Sequence, residues 1–314
     1  MRILVRATNW LGDAIMGLPA LHALRAAFPK AHIAILGRPW LRDLYCQESF
    51  CDEVIVYPKT WQEKLSLARS LRGRFDKAIL LQNAFEAAAF AFVARIPERI
   101  GYNRDGRRLL LTHPISVPNI GHERFYYLEL LRLAGCIAGY DPVSPIHLHG
   151  VVRQPAKTIG VSPGAAFGSA KRWYPDRFAD AAADVALARG SNVALFGSAE
   201  ERDIATVVET RLRERNVEVE NYAGRTSLRQ FIELVANCEL MLTNDSGAMH
   251  VAYAIGTPSV TVFGPTDHIG TGPVGEHARI VREPVECAPC KPVSYTHLRA
   301  HETKANLVCR LLLE

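Results

Sequence analysis

The 314-residue sequence has no apolar run of the ~20 residues that a membrane-spanning helix needs; its longest candidate, Ala84–Ala94, is interrupted by Glu86. Nothing at its start reads as a signal peptide, because Met1-Arg-Ile-Leu-Val-Arg6 carries a charge at each end of a short apolar stretch and reads as a buried strand. Cysteine is sparse. The seven thiols at 46, 51, 136, 238, 287, 290 and 309 form no dense framework, and an odd count fits reduced thiols in a cytosolic protein. Cys287-Ala-Pro-Cys290 has the spacing of half a zinc site or of a redox pair, but no second such pair exists, so no metal site is read. The glycine fingerprints of nucleotide enzymes are missing too. No GxGxxG follows the first strand, and Gly12 and Gly17 lack the Lys-Ser/Thr of a P-loop, which disfavours an NAD-dependent oxidoreductase. No Asp-x-Asp pair occurs. A transferase built on this chain would have to neutralise a leaving diphosphate with Lys and helix N-termini, so neither metal nor cofactor is expected.

What is present is the balance of a globular protein, 48% hydrophobic and 22% charged, with enough length for two domains of about 150 residues each. The net charge of +5 is uneven, since the excess of Lys and Arg lies in the first 150 residues. That half is suited to an anionic ligand. Nucleic acid is not expected, because no aromatic-interleaved basic stripe or helix-turn-helix pattern accompanies the charge. The cluster Arg95, Arg99, Arg104, Arg107 and Arg108 could hold phosphates or could be the solvated face of a turn.

Strand and helix patterns alternate along the chain, which predicts an α/β fold with parallel sheets. In the first half the pattern places strands at Ile3–Val5, Ile33–Leu36, Val54–Val56 and Ala78–Leu81, and helices at Ala14–Ala27, Leu41–Cys46, Gln62–Leu71, Ala84–Ala94 and Phe125–Leu133. Asp141–Gln154 is proline-rich and aperiodic and reads as a linker, separating a domain of residues 1–150 from one of residues 151–291. The second half predicts strands at Thr158–Val161 and Val193–Phe196, helices at Pro175–Ala188, Glu200–Arg213 and Leu228–Ala236, and a βαβ unit from Leu240 to Phe263. Residues 292–314 break the pattern and read as an atypical, non-native tail, so His297, His301 and Cys309 are set aside as metal ligands.

Polar residues gather where strands end. Leu240-Met-Leu-Thr runs into Asn-Asp245-Ser246-Gly247, and the following small-residue helix carries His250 on its first turns; the amides of Ser246 and Gly247 would face an anion. The other reading of His250 is a side chain packed among its small neighbours. Val161-Ser162-Pro-Gly164 ends a strand in a tight turn, with Lys171-Arg-Trp-Tyr-Pro175 before the next helix; a hydroxyl, amides and a lysine suit a diphosphate, although Lys171 and Arg172 could also be plain surface charge. In Gly224-Arg-Thr226-Ser227, one of the two hydroxyl residues caps the next helix. Asn9-Trp10-Leu11-Gly12-Asp13 follows the first strand, where Asp13 is either a helix N-cap or a catalytic carboxylate. Two such polar corners, one per half, would make an acceptor side and a donor side facing across a cleft.

Taken together, Arg6-Ala-Thr-Asn-Trp-Leu-Gly-Asp13, Ser162-Pro-Gly164, Lys171-Arg-Trp173, Thr243-Asn-Asp-Ser-Gly247 with His250, Gly264-Pro-Thr266 and Cys287-Ala-Pro-Cys290 resemble the lipopolysaccharide heptosyltransferases of glycosyltransferase family 9 over about residues 1–290. Asn9-Trp10 ahead of Leu-Gly-Asp resembles the type II branch more than type I. The resemblance implies a cytoplasmic, bacterial GT-B enzyme, two Rossmann-like doubly wound domains, making peripheral contact with the inner membrane. It implies inverting, metal-independent transfer from ADP-L-glycero-D-manno-heptose to a heptosyl-Kdo–lipid A acceptor. Asp13 would be the general base and Lys171 the diphosphate-binding cation. Ser162, Gly164, Thr226, Asp245, Ser246, Gly247 and His250 would surround the donor, and Asn9, Trp10, Arg104 and Arg107 the acceptor. Two other readings stay open: a related GT-B transferase with another nucleotide-sugar, and a non-catalytic nucleotide- or glycan-binding module. The family's closing carboxyl-terminal helix is replaced here by the atypical tail.

Overall fold

The structure, a computed structural model, describes residues 1–142, 145–166, 168–283 and 289, with the backbone alone at residue 169. The expectations for Cys287-Ala-Pro-Cys290 and the tail therefore lie outside the described residues. The chain forms two compact units that divide between Ile146 and His147, inside the proline-rich stretch and slightly ahead of the expected boundary.

In the first unit the order is β1 (Arg2–Arg6), α1 (Leu11–Met16), α2 (Leu18–Ala27), β2 (His32–Gly37), α3 (Leu41–Leu44), β3 (Glu53–Val56), α4 (Trp61–Ser70), β4 (Lys77–Leu80), α5 (Phe85–Val93), β5 (Glu98–Tyr102), β6 (His113–Ile115) and α6 (Arg124–Leu133). The second unit holds β7 (Ala156–Ser162), α7 (Pro175–Arg189), β8 (Asn192–Leu195), α8 (Arg202–Glu214), β9 (Val219–Asn221), α9 (Leu228–Asn237), β10 (Cys238–Asn244), α10 (Gly247–Ile255), β11 (Ser259–Val262), α11 (His268–Thr271) and β12 (Ala278–Val281).

All pairings are parallel. The sheets run β3-β2-β1-β4-β5-β6 and β12-β11-β10-β7-β8-β9. Counted within its own unit, each sheet has the 3-2-1-4-5-6 order of a doubly wound nucleotide-binding fold. The order reverses between β1 and β4 in one unit and between β7 and β10 in the other, and those two points are where ligands bind in such sheets.

Apolar residues two apart on the central strands build each core. Leu4, Ala34, Leu36, Ala78 and Leu80 pack with Ala88, Phe90 and Ala91 of α5. Ile159, Val161, Val193, Leu195, Leu240, Leu242, Val260 and Val262 pack with Phe178, Ala182 and Val185 of α7 and with Val208 and Leu212 of α8. Because helices cover these faces, the strands are apolar throughout rather than alternating, as buried parallel strands are.

Two expectations need correction. The helix expected over Ala14–Ala27 is two helices that begin earlier, at Leu11, and meet at Gly17. Pro19 has no N–H to give Ile15 and its ring would crowd that carbonyl, so it is accommodated only in the first turn of a new helix. Strands β5, β6, β9 and β12 were also not foreseen. Each is short or carries charged residues, and only its neighbour in the sheet makes it a strand. No helix among the described residues is long and apolar enough to cross a membrane.

Candidate active site

In the second unit the sequence-predicted residues collect at the switch point. Ser162, the last residue of β7, pairs in register with Thr243 of β10, so the turns after both strands leave the sheet together. Asn244 lies between those turns with no exposed surface. Its Nδ2 donates to the carbonyl of Pro163 at 2.8 Å, and its Oδ1 accepts the Trp173 N–H at 3.0 Å. Arg172 completes the brace by donating to the Ala165 carbonyl at 3.1 and 3.2 Å. Arg172 is therefore a strut of this turn, and one buried amide fixes both the Ser162-Pro-Gly164 turn and the Lys171-Arg-Trp segment. A Cβ at Gly164 would stand 2.2 Å from the Glu201 carboxyl and would push it from the Ser198 N–H that it accepts at 2.8 Å.

Lys171 is brought onto Asp245. The ammonium lies 2.6 Å from Asp245 Oδ2, and the carboxylate is only 4% exposed. The Thr266 hydroxyl, from the loop after β11, donates to the same oxygen at 2.6 Å. Ser246 follows in extended conformation as the residue preceding α10, without a side-chain capping bond, so the first amides of α10 emerge beside Asp245. Its hydroxyl lies 3.2 Å from Thr243 Oγ1. His250 is buried within α10. Thr226 is half-buried and is not the cap of α9, a role taken by Ser227, whose side chain accepts the Gln230 N–H at 3.2 Å in a capping box. Site chemistry here is a cation and a carboxylate sharing one edge of a sheet, with a helix start beside them.

In the first unit, Asn9, Trp10 and Asp13 follow β1. The N-cap position of α1 is held by Trp10, and Asp13 sits three residues further on, in the first helical turn. Asp13 is thus not the N-cap. It is half-buried next to α6, where Tyr127 is buried; burial raises that phenol's pKa well above its ordinary value, and the Asp13 charge adds to it. Trp10 is 51% exposed. Asn9 accepts Arg6 Nη2–H at 3.2 Å, while the Arg6 guanidinium stacks 4.2 Å from the Tyr57 ring centroid, and burial lowers its pKa to about 10.

The two acceptor-side arginines part company. Arg104 is exposed and hydrogen-bonded to the Tyr126 phenol. Arg107 is wholly buried: its guanidinium donates to the carbonyls of Tyr102 at 2.8 Å and Gln82 at 2.5 Å and to Asn83 Oδ1 at 2.9 Å. Those bonds tie the loop after β4 to the turn after β5, so Arg107 shapes the edge from inside rather than presenting charge to a ligand. Arg99 is likewise spent on the carbonyls of Leu110 and Ile96. An arginine in a turn reads as surface charge from sequence, and nothing local reveals which loop carbonyls it will reach.

Each of the two doubly wound units is polar at its switch point, and the second carries a lysine–carboxylate pair at a helix start. The chain belongs to glycosyltransferase family 9, the heptosyltransferases, whose family pattern matches residues 64–298. It is 32% identical to lipopolysaccharide heptosyltransferase 2 of Escherichia coli (strain K12), over 90% of this chain and 88% of that relative. It is 30% identical to lipooligosaccharide heptosyltransferase 2 of Haemophilus ducreyi, again over 90% and 88%. The solved structure of E. coli ADP-heptose lps heptosyltransferase II matches with a TM-score of 0.81 at 29% identity, covering 100% of this chain and 99% of that one.

Proposed function

We propose that this enzyme transfers L-glycero-D-manno-heptose from ADP-heptose to the first heptose of the lipopolysaccharide inner core, with inversion and without a metal. The observation that carries the reading is the Lys171–Asp245 pair at the β7/β10 switch point, a cation and a sugar-hydroxyl acceptor fixed side by side in a chain with no Asp-x-Asp. Identity to heptosyltransferases named type 2 supports the donor and acceptor classes.

In this reading the acceptor hydroxyl attacks the anomeric carbon. Its proton passes to the Asp13 carboxylate, the new glycosidic bond forms, and the electron pair of the breaking carbon–oxygen bond leaves with ADP. Lys171 and the first amides of α10 meet the charge that develops on the diphosphate, where fixed donors act most strongly. Asp245 accepts hydrogen bonds from heptose hydroxyls. Ser162, Gly164, Thr226, Ser246, Gly247 and His250 line the donor side, and Asn9, Trp10 and Arg104 serve the acceptor, with Arg107 supporting them from within. The acceptor is a lipid, and the exposed apolar side of α5 is suited to its membrane.

The test is transfer from ADP-heptose to heptosyl-Kdo–lipid A, run beside an acceptor lacking that first heptose and repeated with EDTA. Transfer only to the heptosylated acceptor, undiminished by EDTA, is expected. Turnover of a different nucleotide-sugar, or ADP binding without any transfer, would replace this reading.

A further inference from the structure

Asp245 Oδ2 is shared by two donors from different parts of the unit. Lys171 approaches from the segment after β7 and Thr266 from the loop after β11, each at 2.6 Å. The shared oxygen belongs to a carboxylate almost shut off from solvent. Thr266 does not arrive there by chance of a loose loop. Ahead of it, the Phe263 N–H donates to the Val281 carbonyl at 2.9 Å and Pro265 is buried. Behind it, the Asp267 side chain accepts the N–H groups of Ile269 at 3.0 Å and Gly270 at 3.1 Å, which starts α11. The backbone is pinned on both sides of the hydroxyl.

This arrangement answers a difficulty in the proposed reaction. An ammonium engaged with Asp245 must give its charge to the diphosphate when donor binds, and a buried carboxylate deprived of its cation is strongly unfavourable. A neutral hydroxyl can keep that carboxylate hydrogen-bonded without competing for the phosphate. We infer that Thr266 is a positioning residue of the donor site, holding the Asp245 carboxylate in place while Lys171 turns to the leaving diphosphate. The inference rests on the donor reading given above.

The test is a double-mutant cycle on ADP affinity, measured by calorimetry, with donor kcat and KM alongside where the enzyme turns over. Thr266→Val preserves the shape and removes the hydroxyl. It should weaken ADP binding about 10-fold, the scale of one hydrogen bond to a charged group, and lower kcat comparably. Thr266→Ser should restore both to within about 2-fold, since it keeps the donor. In an Asp245→Ala background the same Thr266→Val change should have no effect on ADP affinity, because no side-chain acceptor is left for the hydroxyl. An effect that persists in that background, or that serine does not rescue, would mean Thr266 only packs the loop and would overturn the inference. Should Thr266→Val fail to fold, Thr266→Ala enters the same cycle. Wild-type protein that does not bind ADP would bring down the donor reading and this inference together, whereas ADP binding with an additive cycle brings down this inference alone.

Discussion

Asp13 shows how much one residue's role depends on its place in a turn. A carboxylate at an N-cap could be replaced by an amide at little loss, because Asn caps about as well as Asp. Here Trp10 holds that position and Asp13 lies in the first turn of α1, where its charge faces the helix dipole for a gain of about 0.3–1 kcal/mol. Asp13→Asn should therefore lose no more stability than that, while kcat falls about 10²–10⁴-fold for want of a general base. Near-wild-type transfer by the variant would remove Asp13 from catalysis. Arg107 poses the opposite case. Three hydrogen bonds to Tyr102, Gln82 and Asn83 from a fully buried guanidinium make it structural, so Arg107→Ala should cost about 3 kcal/mol or more and lower the melting temperature clearly. An alanine variant that melts like wild type, with a raised acceptor KM, would instead make it a ligand contact.

Among the elements, α7 and α8 are fastened by charge over an apolar base of Ala182, Val185, Val208 and Leu212. Arg211 grips both oxygens of Asp180 at 2.8 Å, and Arg215 reaches Asp184 at 2.7 Å. The Arg211 hydrogen bond is the chief cause that lowers the Asp180 carboxyl below its ordinary pKa. A carboxyl lowered by folding stabilises fully above its unfolded pKa of about 3.9, and that share is lost as pH falls through the lower folded value. Both side chains are partly solvated, so water screens the pair and its contribution to stability is small. Asp180→Asn should lower stability slightly at pH 7, and the gap to wild type should narrow as pH falls below about 3.9. Calorimetric melting at several pH values checks it, and a gap unchanged at pH 2 would exclude the linkage.

At the scale of the molecule, the outer side of α5 is an exposed apolar face among the described residues. All nine of its residues except Glu86 are apolar, and Glu86 is engaged by Lys64 at 2.5 Å. Phe85 and Phe92, seven apart and so on one stripe, are each 52% exposed. Arginines border the end of the helix: Arg72 donates to the Val93 carbonyl at 3.1 Å, and exposed Arg95 follows the last turn. An apolar helix face bordered by arginine suits an anionic lipid surface, where apolar burial and charge attraction add. Phe85→Ser with Phe92→Ser should weaken binding to phosphatidylglycerol vesicles about 10-fold or more and leave activity on a water-soluble acceptor unchanged. Equal vesicle binding by the double variant would show that α5 is not the contact.

The alternation of apolar runs with helical patterns determined an α/β fold of parallel sheets in two halves from sequence alone, because burial on both faces of a parallel strand demands an unbroken apolar run, whereas the strand order and the edge strands came only with the packed sheets. The corners were legible too, since Ser162-Pro-Gly164, Lys171, Asp245-Ser-Gly247 and Asn9-Trp-Leu-Gly-Asp13 all fall where predicted strands end. What side chains do at those corners was not legible. That Lys171 reaches Asp245, that Asn244 braces two turns, that Thr266 shares the carboxylate and that Arg107 turns inward are facts about residues 20 to more than 70 positions apart. Local pattern reports which face a residue takes. Only the register of β7, β10 and β11 in one unit, and of β4 and β5 in the other, brings those distant polar atoms within hydrogen-bonding reach.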